Sequence, residues 1–347
     1  SDGRIADAEH RHADLGEASL LRAHRGVDLS YGRLEDGGLR CLYHGWLYGP
    51  DGQCLEQPAE PAHSRFYDKI RITSYPCREV NGIIFAYLGA GEPPVFPHYD
   101  CFTAPEAYTF AFKGWWECNW LQGLEGGIDP SHVSFLHRFI ADDPREAYGQ
   151  QFRENVDGGD VPLSKVVGER FRPDIEVETT GYGLRVYALR DLSDVQRHVR
   201  ITNLAFPNAF TIPFGNHMAF MQWHVPIDDR NHYWYMILYD FEQETDKETL
   251  RRQRLESCTL PDYRPVRNRD NDWGFDEREQ LTLTYTGMGL DINVHDQWAV
   301  ESAGAIQDRS VEHLGVSDRA IAANRRLLLR AIQAHQTAGQ VPGLATD

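Results

Sequence analysis

Arg40-Cys41-Leu42-Tyr43-His44-Gly45-Trp46 places a soft thiolate and an imidazole three residues apart, within reach of one tight metal-binding loop. Upstream, His24-Arg25-Gly26 offers a second imidazole, with sixteen residues between His24 and Cys41. The surrounding chain reads as short strands. From Leu20 to about Leu88, runs such as Gly82-Ile83-Ile84-Phe85-Ala86-Tyr87-Leu88 are broken by Asp36-Gly37-Gly38 and Pro50-Asp51-Gly52, which predicts a small all-β module held by turns. Six cysteines, at 41, 54, 77, 101, 118 and 258, are too sparse and irregular for a disulfide framework. A cysteine beside a histidine is a metal candidate, and Cys54 and Cys77 are expected as small buried hydrophobes.

Working outward, Gly91-Glu92-Pro93-Pro94-Val95-Phe96-Pro97 punctuates the chain like a linker. A chain of 347 residues exceeds one ordinary core, so the expectation is a module over 1–97, with upstream residues missing, and a second domain over 98–347. In the second domain, Trp116 to about Arg138 is expected to be helical around its histidines, with Gly126-Gly127 and Pro130 bending or starting the helix. Between Asp174 and Asp240, β-rich runs such as Gly183–Leu189, His198–Asn203 and His232–Leu238 predict a twisted antiparallel sheet. An amphipathic helix is expected over Ser317–Ala334, and the class is α+β.

Composition sets outer limits. With 35 basic against 52 acidic residues the net charge is −17, which repels phosphate backbones and anionic lipid, so neither nucleic acid nor a membrane is expected as a partner. No run approaches 18 consecutive apolar residues, and Ser1-Asp2-Gly3-Arg4 lacks the apolar stretch of a signal peptide. A cytoplasmic location is the default expectation.

The chemistry of the second domain starts at Asp129-Pro130-Ser131-His132-Val133-Ser134-Phe135-Leu136-His137, two histidines five apart behind a carboxylate. Non-haem Fe(II) sites need two imidazoles and one carboxylate on one face of the metal, with other positions open for dioxygen and substrate. His132 and His137 are the natural pair.

Together, His24-Arg25-Gly26 with Cys41-Leu42-Tyr43-His44 and the D-x2-H-x4-H run resemble the Rieske non-haem iron ring-hydroxylating oxygenases, closest to the phthalate-dioxygenase-like branch. The resemblance runs from His24 to about Ala334. It implies an oxygenase (alpha) subunit whose small all-β Rieske domain precedes a catalytic domain of helix-grip type. A [2Fe–2S] Rieske cluster would be held by His24, Cys41 and His44, since such a centre has two cysteines on one iron and two histidines on the other. The family's cysteine two positions before the first histidine is replaced by Arg22. Three explanations stay open: an arginine in a ligand position, a cysteine dropped between Arg22 and Ala23, or a different first loop using His10 or His12.

The same resemblance gives a mononuclear Fe(II) with His132 and His137, and a third ligand in His295-Asp296-Gln297-Trp298-Ala299-Val300-Glu301. Asp296 is preferred over Asp308 and Asp291 on its spacing to Glu301. Asp129 would be the electron route, touching a ligand histidine and the cluster histidine of a neighbouring subunit. Glu125 is either a support for it or a surface acid. The implied activity is hydroxylation of an aromatic acid, or O-demethylation or ether cleavage, using O2 and electrons from a separate flavin/iron–sulfur reductase, in a homotrimer or a multiple of it. Arg200 is a candidate for a substrate carboxylate, against the blander reading of a surface arginine, and Val133, Phe139, Phe210 and Met218 are candidate pocket walls. A Rieske electron carrier would need only the first module, and a non-catalytic relative draws its support from Arg22.

Overall fold

The Gly-rich punctuation of the first module becomes a four-stranded antiparallel sheet, ordered β1 (Arg33–Glu35), β2 (Gly38–Arg40), β3 (Leu47–Tyr48) and β4 (Cys54–Glu56). The computed structural model describes residues 24–35, 37–89, 91–140, 163–215 and 217–339, and divides into two units, Ser1–Phe96 and Pro97–Asp347. In the first unit, Leu29, Cys41, Trp46, Tyr48 and Cys54 form the core. A second ladder pairs β5 (Cys77–Val80) with β6 (Ile83–Ala86). Cys54 is buried as expected, whereas Cys77, the first residue of the two-stranded ribbon, is exposed.

Arg40 and Leu47 are partners in the β2–β3 ladder, so Cys41 and His44 sit in the loop that closes it. Cys41 N–H donates to the Trp46 carbonyl (2.8 Å), and Gly45 N–H to the Cys41 carbonyl (3.1 Å). Gly45 takes a φ of +74°, which costs glycine little. The Arg40 guanidinium then ties the loop down, donating to the Gly45 carbonyl (2.6 Å) and pairing with Glu35 (2.6 Å) and Glu56 (2.8 Å).

The second unit is built on a seven-stranded antiparallel sheet, ordered β7-β13-β12-β11-β10-β9-β8. These strands are β7 (Thr109–Trp116), β8 (Asp174–Thr180), β9 (Gly183–Asp191), β10 (Arg197–Ala205), β11 (Ala209–Pro213), β12 (Met218–Pro226) and β13 (His232–Asp240). Directly paired residues share a face, and the registers Phe112↔Met236, Met236↔Gln222 and Gln222↔Phe210 define one row of the inner surface. The same rule places Leu184, Val186, Ala188 and Arg190 of β9 inward with Leu204, Thr202, Arg200 and His198 of β10.

The helices are α1 (Asp100–Thr103), α2 (Trp120–Ile128), α3 (Leu163–Glu169), α4 (Lys247–Ser257), α5 (Glu277–Thr282), α6 (Ile292–Ser302) and α7 (Arg319–Ala338). Helix α2 lies against the inner face closely enough that a Cβ on Gly127 would stand 2.1 Å from the Phe210 ring, and one on Gly123 2.6 Å from the His224 ring. Only glycine fits there. Helix α7, expected from its amphipathic pattern, is pinned by buried Ala320 and Asn324 and by Arg319 donating to the Ile175 carbonyl (2.7 Å).

One expectation fails in its detail. The histidines of the 116–138 segment are not on a helix: α2 ends at Ile128, and His132 opens a short 3-10 turn, His132–Ser134. Pro130 has no N–H to continue the helix, and Asp129 turns its carboxylate onto the N–H groups of Ser131 (2.7 Å) and His132 (3.2 Å) instead.

Candidate active site

Three donor atoms converge where the turn after α2 meets α6. His132 Nε2 lies 3.2 Å from His137 Nε2 and 3.6 Å from Asp296 Oδ1, and His137 Nε2 lies 3.2 Å from the same oxygen. Donors spaced in this way match the roughly 3 Å separation of neighbouring ligands around a six-coordinate divalent cation with bonds of about 2.1 Å. Among the described residues this is the group of three metal-ligating side chains, all within 4.8 Å of one another. Its donor set, two imidazoles and one carboxylate, fits a mononuclear iron.

Asp296 reaches this point because α6 is held at both ends. Asp291 caps its start by accepting from Asn293 N–H (3.0 Å) and pairs with Arg254 (2.8 Å). Glu301, wholly buried, accepts from Glu117 N–H (2.8 Å), Trp273 Nε1 (2.9 Å) and Gln297 Nε2 (3.2 Å). The Asp296-to-Glu301 spacing is thus one inward donor followed by one anchor. Asp308, the other rival, accepts from the Ser310 amide (2.9 Å) and hydroxyl (2.6 Å) in its own turn. Burial alone would raise Asp296, but His137 and then His132 hold it below the usual carboxylate range.

Each histidine has a second group behind its ring. Asp129 Oδ2 stands 3.5 Å from His132 Nδ1. Burial works against a charged His132, yet Asp129 and Asp296 outweigh it and raise the ring above the ordinary histidine value. Behind His137 stands His295, wholly buried, with its Nδ1 3.4 Å from His137 Nδ1 and its Nε2 2.8 Å from the Gly289 carbonyl. Burial, then the neighbouring His137, pushes His295 down to about 4.

Arg190 is the third support. It is 1% exposed and donates to the carbonyls of Pro130 (3.0 Å) and Arg170 (3.1 Å), holding the turn that presents His132. Neither His295 nor Arg190 stood out in the sequence. Arg190 was nevertheless legible as the next inward position after Leu184, Val186 and Ala188. Glu125 is neither support nor surface acid: it is buried and paired with Arg309 (2.8 Å) and Arg325 (2.7 Å), which joins α2 to α7.

The three donors open on a cavity of about 160 Å³ walled by Phe112, Phe210, Phe220, Met236 and Val300, with Arg200 on one side. Engineered apolar cavities of roughly this size admit a benzene ring. Val133, Phe139 and Phe210 line it, whereas Met218 lies in the sheet core. Arg200 is not a surface arginine: strand parity turns it inward, its Nε is buried without a hydrogen-bond partner among the described residues, and burial followed by the charge of Arg190 pushes it down to about 10. An unpartnered buried guanidinium edge facing an apolar cavity is suited to an anion.

In the first unit the two sequence-predicted cluster histidines also come together. The His24 and His44 rings meet edge-on with centroids 4.7 Å apart, His24 stacks on Trp46 at 4.1 Å, and Cys41 is buried in the same loop. The Nδ1 of His44 is buried with no hydrogen-bond partner among the described residues, as expected of a nitrogen reserved for a metal. These three residues fit a Rieske cluster. Arg22 lies outside the described residues.

Comparison with known proteins matches residues 21–76 to the Rieske [2Fe-2S] domain and residues 86–347 to the LigXa C-terminal domain-like family. The phthalate 4,5-dioxygenase oxygenase subunit of Pseudomonas putida is 33% identical over 330 residues, covering 90% of this chain and 71% of the relative. The 3-chlorobenzoate-3,4-dioxygenase oxygenase subunit of Comamonas testosteroni is 28% identical, covering 92% and 75%. Among solved structures, a caffeine-bound QL mutant of Pseudomonas putida CBB5 NdmA shares the fold at a TM-score of 0.59 with 17% identity, over 93% of this chain and 80% of that one. Among the described residues no helix is long and apolar enough to cross a membrane. With a Rieske domain, a catalytic domain and these relatives, the chain belongs to the Rieske non-haem iron oxygenases as an oxygenase alpha subunit of the phthalate-dioxygenase-like branch, working with a [2Fe–2S] cluster, a mononuclear iron and O2.

Proposed function

We propose that the chain oxidises a carboxylated single-ring aromatic in the cavity beside His132, His137 and Asp296, with Arg200 receiving the carboxylate. The observation that carries this reading is the inward Arg200, with its buried unpartnered Nε, on the wall of an otherwise aromatic and aliphatic cavity. Three relatives at 28–33% identity are named for aromatic acids: 3-chlorobenzoate, phthalate and phenoxybenzoate. A fourth is a 5,5'-dehydrodivanillate O-demethylase, so both dioxygenases and an O-demethylase occur among similar chains.

In this reading residues 1–97 are the Rieske domain, with His24, Cys41 and His44 on the cluster, and residues 98–347 are the catalytic domain. His132, His137 and Asp296 hold Fe(II), which when bound supplies the activation of dioxygen. The protein's own part is positional. Arg200 fixes the acid end of the ring, Phe112, Phe210 and Phe220 exclude water, and Asp129 orients His132 and forms the electron route from the cluster of a neighbouring subunit in a homotrimer. Electrons come from a separate flavin/iron–sulfur reductase. An oxygenase of this fold is solved with its ferredoxin in carbazole 1,9a-dioxygenase, at a TM-score of 0.51. The cytoplasm is the proposed location.

The test is product analysis with a panel of phthalates, methoxybenzoates and phenoxybenzoates beside their uncharged methyl esters, using wild type and Arg200→Gln. Loss of a charged hydrogen bond of about 1.5–3 kcal/mol corresponds to a rise of roughly 10- to 100-fold in KM for the acids, with the esters little changed. Equal turnover of acids and esters by the wild type would remove the carboxylate from the proposal.

A further inference from the structure

The two ligand histidines are backed by different chemistry. Behind His132 stands a carboxylate, Asp129 Oδ2, at 3.5 Å from Nδ1. Behind His137 stands a second imidazole, His295, at 3.4 Å from Nδ1. The direction of that second contact follows from its far end. The Gly289 carbonyl only accepts, so His295 Nε2, 2.8 Å away, carries a proton, and a His137 that holds a metal through Nε2 has its own proton on Nδ1, which leaves His295 Nδ1 to accept. His137 Nδ1 must then be the donor, and the lone pair of His137 is left on Nε2, facing His132 and Asp296. The anchor is firm: Gly289 N–H donates to Glu279 Oε1 (2.7 Å), and the same oxygen accepts from Thr284 Oγ1 (2.7 Å).

We infer that His295 is a positioning residue that, through its accepting Nδ1, sets the tautomer and ring orientation of His137 and so presents His137 Nε2 to the metal. The inference rests on the reading that His132, His137 and Asp296 hold that metal. Outer partners of ligand histidines ordinarily contribute about 10- to 100-fold in metal affinity.

The experiment titrates Co(II), followed by its visible absorption, into the full-length protein after chelation of the mononuclear site, with proton NMR of the loaded form. It compares wild type, His295→Phe, His295→Asn and His137→Ala. His295→Phe keeps a buried ring but no acceptor, and is expected to bind Co(II) about 10- to 100-fold more weakly and to lose the exchangeable, paramagnetically shifted Nδ1–H signal of His137. His295→Asn returns an acceptor oxygen near the former Nδ1 without reaching Gly289, and is expected to recover most of the affinity and the signal. Wild-type affinity in His295→Phe, or equal losses in Phe and Asn, overturns the inference. Wild-type Co(II) binding in His137→Ala instead overturns the metal-site reading beneath it.

Discussion

The cluster loop of the first unit and the histidine–aspartate site of the second differ in what surrounds them. At the tip of the loop, Leu42 is 59% and Tyr43 50% exposed beside buried Cys41. The side chains of His132 and His137 are 19% and 13% exposed and face a cavity of aromatic and aliphatic walls. The loop is also local, closed by one ladder and Arg40, while the second site joins a turn at 132–137 to a helix more than 150 residues later. The contrast follows from the chemistry. A site that passes electrons benefits from a rim that a partner can approach, whereas oxygen chemistry needs water kept out and full-strength electrostatics in a dry cavity.

If the two sites are separable, their ligands should fail separately. Asp296→Ala is expected to abolish turnover and remove about one iron per chain while acid-labile sulfide is kept, and Cys41→Ser to remove the sulfide while the mononuclear iron stays. Loss of sulfide in Asp296→Ala would show the sites to be interdependent. In the same assay, a cysteine inserted between Arg22 and Ala23 is expected to raise sulfide per chain by completing the family motif.

Asp129→Asn sharpens the contrast from the side of communication. Both metal sites are expected to stay loaded while turnover falls by about 100-fold, measured as product formed against cluster reoxidation. Substantial retained activity would take Asp129 out of the electron route.

Packing around the second site can be strained without touching a ligand. Gly127→Ala drives a Cβ to 2.1 Å from the fully buried Phe210 ring, and a loss of about 1–3 kcal/mol is expected in denaturant unfolding, with the first unit's transition unmoved. No loss would mean that α2 can lift from the sheet.

The smallest effect is electrostatic. Arg325 holds Glu312 below its ordinary value of 4.5, against the opposing effect of burial. A depressed carboxylate stabilises the fold above that ordinary value, and the contribution fades as pH falls through the lower folded one. Glu312→Gln should therefore flatten the decline of melting temperature below about pH 4.5. An unchanged acid limb would count against this ion pair.

The strands around Cys41 and His44, the runs that became β9, β10 and β13, and helix α7 were all legible because periodicity and turn residues are local properties. His132 and His137 were visible for the same reason, five residues apart in one short segment. The sequence also offered three aspartates for the third position, and preferred Asp296 over Asp291 and Asp308 only on its spacing to Glu301. Glu125 and Arg200 both read as plausible surface charges, since burial is decided by what packs over a residue. His295 passed unnoticed beside Asp296.

By itself, then, the sequence determined the two-part α+β organisation and the residue types that carry the chemistry. The tertiary structure decided which carboxylate meets the histidines, that Arg200 faces the cavity, and that His137 is backed by His295. These are contacts between segments up to about 160 residues apart. They depend on strand register, on a glycine-faced helix lying flush on the sheet and on Glu301 holding α6, none of which a local stretch of chain specifies.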